Sequence, residues 1–163
     1  MALMDAKEYD PRPAQRRRRM AGIAVVLLLV FVVLWFWPDG RFRYWRHWGV
    51  ADRFFATLER KDFDTAYGLY QGDPDWKQHP EKYSGYTVSQ FTLDWGPSGE
   101  YGPITSHRVD CAAAPPKKGF ASPSGVIVVV TINNRAEPRS MWVENKSRSI
   151  TDSPYKLLCH GPQ

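Results

Sequence analysis

The chain has 163 residues, of which 43% are apolar, 14% aromatic and 24% charged, a balance that excludes a wholly disordered or fibrous polymer. One uninterrupted apolar run occupies 18 positions, Met20 to Trp37, and the roughly 125 residues after it make one domain of ordinary size, not a multidomain enzyme. The net charge of +5 is unevenly placed: Met1 to Arg19 carries six basic and three acidic residues, leaving 16 against 14 in the remainder. The basic balance therefore belongs to the N-terminus and does not argue for DNA or RNA as a partner.

Residues 1–19 read as a short polar tail that is expected to be unstructured and cytoplasmic, with Arg16, Arg17, Arg18 and Arg19 abutting the apolar boundary. Residues 20–37, MAGIAVVLLLVFVVLWFW, carry no charge and are apolar on every side. At 1.5 Å per residue they span roughly 27 Å, the thickness of a bilayer's hydrocarbon core. The arginine block predicts a cytoplasmic N-terminus and a domain on the far side of a bacterial cytoplasmic membrane. A cleaved signal peptide would end in small residues, whereas this segment ends in Leu34, Trp35, Phe36, Trp37 and Pro38, so the reading is an uncleaved signal anchor. Residues 38–48 form an interfacial linker in which Trp45 and Trp48, with Trp35 and Trp37, supply indole rings at headgroup depth among interleaved arginines. Aromatic-plus-basic spacing also suits nucleic-acid stacking, but its place beside a span favours the lipid bilayer as partner.

The domain, residues 49–160, opens with helical spacing at Val50, Phe54 and Leu58, with Phe55 beside them. Asp62 stands where an N-cap belongs, ahead of Phe63, Ala66, Tyr67 and Tyr70. Gly72, Pro74 and Pro80 break the chain; a third helical stretch is expected from Pro80 and Glu81 to Trp95, stopped by Gly96 and Pro97. The period then becomes extended. Ile104 to Ala113 alternates, with His107, Val109 and Cys111 assigned to one face. Pro115 to Gly125 reads as a hairpin loop, Val126 to Ile132 as a central strand apolar on both faces, and Ser140 to Ser147 and Ser153 to Cys159 as the last two strands. Helices first and an antiparallel sheet of about four strands afterwards is an α+β arrangement.

The passage ADRFFATLERKDFDTAYGLY, Ala51 to Tyr70, together with Trp95 and Gly96 at the end of the next helix, resembles the opening of the nuclear-transport-factor-2-like (cystatin-like) superfamily, and more particularly membrane-anchored bacterial proteins of that class. The resemblance implies helices packed on a strongly curved antiparallel sheet, a cone. That class holds isomerases and dehydratases as well as non-catalytic binding and assembly modules, so the fold does not settle the function. Its enzymes place an acid or an acid and histidine pair inside the cone; the candidates here are His107 and Asp94, for which the favoured alternatives are a hydrogen-bonded core or rim histidine and a solvated flank of the helix.

Cys111 and Cys159 both fall on the far side of the membrane, where a disulfide is the default. On the chain-entropy model the closed loop contributes roughly 4 kcal/mol. His107, Asp110 and His160 lie near the two thiols in sequence, which leaves a metal or free-thiol reading open, although no pair has the tight ligand spacing of known sites. Trp76, Tyr83, Trp95, Tyr101 and Trp142 are enough aromatics to line a pocket or partner surface. No phosphate-binding loop, nucleophile turn or nucleotide fingerprint is present, and neither cofactor nor metal is expected. The functional expectation is a membrane-anchored, non-catalytic binding or accessory module that presents its domain to a protein partner. A small-ligand sensor or carrier comes second and an isomerase- or dehydratase-like enzyme third.

Overall fold

The computed structural model describes residues 12–35, 43–115, 124–157 and 159. The chain divides into two compact units, Met1–Phe36 and Trp37–Gln163.

In the first unit, helix α1 runs over Arg12–Trp35, 24 residues, or about 36 Å at the standard rise. Its stretch Gln15–Trp35 contains an 18-residue window of mean hydropathy 2.2, none of it buried against protein, so the helix is long and apolar enough to cross a membrane. Arg16 to Arg19 belong to this helix, not to an unstructured tail. Alanine, glutamine and arginine propagate a helix well, and Pro13 sits in the first turn, where its missing N–H leaves nothing unpaired. Trp37 lies outside the described residues.

The second unit begins with α2, Trp45–Glu59. It starts ahead of Val50 because the Tyr44 carbonyl already accepts from the His47 and Trp48 backbone N–H groups, and residues 45–48 are thus helix, not linker. Ala51, Phe54, Phe55 and Leu58 are buried on one face, as their spacing predicts. Asp62 caps α3, Phe63–Gln71, by accepting from the Thr65 N–H at 3.1 Å. A 3-10 turn over Pro80–Tyr83 replaces the first half of the expected third helix, and another, Trp76–Gln78, precedes it. The regular helix, α4, is confined to Val88–Trp95. A capping box between Thr87 and Gln90 sets its start, and Thr87 itself is extended, φ −82° and ψ 161°, so the chain does not run on helically from Pro80; the Tyr86 carbonyl just before it accepts from the Tyr67 hydroxyl at 2.5 Å.

Four antiparallel strands, β1 His107–Ala113, β2 Gly125–Ile132, β3 Arg139–Glu144 and β4 Ile150–Asp152, follow in the spatial order of the sequence. β1 begins later than Ile104 because the Asn133 side-chain oxygen takes up the Thr105 and Ser106 N–H groups that would have entered the ladder. Among the described residues the last strand is β4, not Ser153 to Cys159, and β3 ends at Glu144, where a turn closed by Glu144 N–H to the Ser149 carbonyl reverses the chain. Most of the expected hairpin loop, 116–123, lies outside the described residues.

The core forms where Phe54, Phe55, Tyr67, Phe91 and Trp95 meet the sheet face carrying Val109, Val128, Val130, Met141 and Val143. Between Val109 and Cys111 the β1–β2 register shifts by one residue. This bulge at Asp110 overturns the expectation that His107, Val109 and Cys111 share a face: Val109 pairs with core-facing Val130, whereas Cys111 pairs with Val129 on the opposite side. The extra residue inverts the alternation. Ile127, Val129, Cys111 and Trp142 are buried on that outer face. The C-terminal segment is fastened there by the Cys111–Cys159 disulfide and by Leu157 N–H to Ser140 Oγ at 3.1 Å.

A candidate binding groove

Gly68 and Gly72 shape a concave site on the second unit. A Cβ on Gly68 would stand 3.1 Å from the Asp73 carbonyl and 3.3 Å from the Trp76 ring, so the bare backbone lets the segment after α3 fold back on the helix. Gly72 closes α3 in the left-handed conformation, φ +69°, the conformation that carries no Cβ penalty only in glycine. The result is a groove of about 600 Å³. One wall is α3 with Asp64, Thr65 and Leu69, another the Pro74–Lys77 turn, and Arg53 and Arg148 enter from α2 and the β3–β4 turn.

Trp76 is fixed in the wall by an edge contact to Tyr67, centroids 4.8 Å apart, and by its indole N–H donating to the Asp64 carbonyl at 3.1 Å. Lys77 pairs with the Asp64 carboxylate at 2.5 Å and lies 5.6 Å from the Trp76 ring centroid. Asp73 anchors the neighbouring turn: one oxygen accepts from the Asp75 N–H at 3.0 Å, the other from the Tyr83 hydroxyl and His79 Nε2, both at 2.5 Å. The Tyr83 and His79 hydrogen bonds hold the carboxyl down at about 2, because they stabilise its ionised form. Among the described residues Arg148 approaches His47 Nε2, at 3.5 Å, and that nitrogen is 2.9 Å from Asn145 Oδ1. Partial burial pushes the His47 imidazole below its ordinary value. Arg53 is exposed and makes no ion pair among the described residues.

Of the aromatics read as pocket-lining, only Trp76 lines this groove. Tyr83 acts behind it through Asp73. Trp95 is in the core, 5.3 Å from Phe54 between ring centroids. Tyr101 stacks on Trp95 and is flanked by the Arg135 and Arg139 guanidiniums, the latter donating to its hydroxyl at 3.1 Å. Trp142 is buried on the other sheet face, its indole N–H 2.8 Å from Glu144. The five therefore do not form one pocket.

The two candidate bases engage different partners. Asp94 is exposed and accepts from the Tyr86 hydroxyl at 2.7 Å. His107 lies between two carboxylates, Nδ1 2.6 Å from Glu59 and Nε2 3.2 Å from Asp52, with its ring stacked on Phe55. These oxygens sit at opposite edges of the imidazole and do not converge on a point, and no cluster suited to a metal ion occurs among the described residues. Of the interfacial tryptophans, Trp45 is 63% exposed with the Arg46 guanidinium over its ring, while Trp48 packs against the core.

Arg53, Leu69, Asp73, His79 and Arg148 were not singled out in the sequence. The Asp73-Pro74-Asp75 and Asn145 to Arg148 stretches signal turns, but no local pattern reports that turns so far apart in the chain form one groove. No family model, curated protein sequence or solved structure matches the chain.

Proposed function

We propose that this chain is a single-pass, membrane-anchored binding module whose domain, held outside the cytoplasm of a bacterial cell, takes a protein partner in the groove between α3 and the β3–β4 turn. Support for the anchor comes from the apolar α1 and from the four arginines at its base, which favour a cytoplasmic N-terminus. The Cys111–Cys159 disulfide supports an oxidising compartment. Helices followed by an antiparallel meander support the likeness to the nuclear-transport-factor-2-like class, with its curved sheet, as part of this reading.

The observation that carries the binding role is the groove itself. It exposes the Trp76 wall and two arginines that have no carboxylate partner among the described residues, while the acid and histidine candidates elsewhere are absorbed in separate structural contacts. Photo-crosslinking residues placed at Thr65 and Ser147, both lining the groove, in the full chain in intact cells should each give a discrete protein adduct. The same residue at exposed Ala136 should not. Absence of adducts, or equal adducts at all three positions, would refute the reading. A small-molecule ligand is the second reading, favoured by a volume that falls in the range of such sites; native mass spectrometry of the gently solubilised chain would show the retained mass.

A further inference from the structure

Resting on the groove as a partner site, we propose that the recognised element of the partner is a short acidic segment with an apolar side chain beside its carboxylate. The charges lining the groove are Arg53, Lys77 and Arg148 against Asp64 and Asp73. Lys77 is neutralised by Asp64 at 2.5 Å. Both oxygens of Asp73 are already taken, by Asp75 on one side and by Tyr83 and His79 on the other, and Asp64 offsets Lys77 through one oxygen, so both acids of the lining are engaged where the two arginines are not.

Two cations are left. Among the described residues Arg53 has no ion pair, and Arg148 has one polar neighbour, a histidine nitrogen at 3.5 Å that already faces Asn145 Oδ1. A guanidinium presents paired N–H donors at carboxylate spacing, and such pairs are most stable where water is partly excluded. Here Leu69, Pro74 and the Trp76 face supply that apolar surface. With only two uncommitted cations and two fixed carboxylates, the groove suits one or two negative charges and is a poor match for a polyanion such as nucleic acid. Aromatic surface next to arginine is also the composition in which protein interfaces concentrate their binding energy.

A random heptapeptide display library panned on the full chain in nanodiscs tests this. The expected result is enrichment of peptides with Asp or Glu within two positions of Leu, Ile, Phe or Trp. Their affinity should fall as salt is raised and drop about tenfold in Arg53→Gln and in Arg148→Gln, a loss within the range for a charge-assisted contact at a partner surface. Unchanged near-ultraviolet circular dichroism would confirm that these variants fold. Enrichment of neutral or basic peptides, no enrichment at all, or affinity indifferent to both arginines would overturn the proposal. Groove crosslinks that persist alongside such a result would leave the partner site standing and remove only its acidic specificity; loss of the crosslinks as well would remove both.

Discussion

Cys111 and Cys159, 48 residues apart in sequence with Cα atoms 5.8 Å apart, join the C-terminal segment to the face of the sheet turned away from the helices. Ile127, Val129 and Trp142 are buried on that face, although α2, α3 and α4 pack on the opposite one. Replacing both cysteines by alanine should lower stability by about 4 kcal/mol on the chain-entropy model, since the loop they close is long. Urea unfolding of the full chain in detergent, followed by tryptophan emission, measures this. A loss below about 1 kcal/mol would mean that the segment is held by its other contacts, such as Leu157 N–H to Ser140.

That relationship also shows how far the sequence could be read. The helical faces of Phe54, Phe55, Ala66 and Phe91, the Asp62 cap and the apolar Val126 to Ile132 strand are local patterns, and each appears in the fold. Pairing of the two cysteines was legible from compartment and count. The face on which they pair was not, because one inserted residue at Asp110 inverts every later side chain of β1, and nothing in Val-Asp-Cys marks a bulge. The groove was harder still. Its arginines stand on α2 and on the β3–β4 turn, so its composition is a product of tertiary packing, and the aromatics expected to line a pocket or a partner surface are spread over the core, the outer sheet face and the groove wall.

Asp73 should give the groove a distinctive acid response. Its folded-state carboxyl lies at about 2, against roughly 3.9 in an unfolded chain, so the ionised form is the one that folding favours. The stabilisation is complete above the unfolded value and is lost as pH falls from about 4 through 2. Tyr83→Phe removes the largest cause of the depression and should move the carboxyl titration upward, as read by carbon-detected NMR of the side chain. Asp73→Asn should remove this component of the pH dependence altogether. A Tyr83→Phe titration unchanged from the native one would show that the hydroxyl contact does not hold the carboxylate down.

Gly72 and Gly102 form a natural pair of controls for the groove wall. Both have positive φ, +69° and +62°, so alanine at either incurs the left-handed penalty of about 1–2 kcal/mol. Only at Gly72 would the new Cβ also meet backbone, 2.9 Å from the Ser147 carbonyl and 3.0 Å from Ser149 N, whereas nothing lies within 4 Å at Gly102. Gly72→Ala should therefore be the more destabilising by roughly 1 kcal/mol or more, in the range expected for overpacking, and it should displace the turn that carries Arg148. Equal losses in paired denaturation curves would mean that the turn yields freely and that the groove wall is not set by this approach.

His107 ties β1 to α2, and its two partners should contribute unequally. Glu59 is 30% exposed and bonds at 2.6 Å, whereas Asp52 is 70% exposed and stands at 3.2 Å. A solvated carboxylate at the longer distance is screened, so Asp52→Asn should change stability by no more than about 0.5 kcal/mol. Glu59→Gln should cost about 1 kcal/mol, the scale of one partly buried hydrogen bond. His107→Ala should cost about 2–3 kcal/mol, because it strands the Glu59 carboxylate and also leaves a void against Phe55, on which the ring stacks 5.7 Å away. Denaturation midpoints of the three variants at one pH give the order. If Asp52→Asn proved as damaging as Glu59→Gln, the imidazole would be held by a symmetric charge clamp instead of by the Glu59 contact and the Phe55 stack.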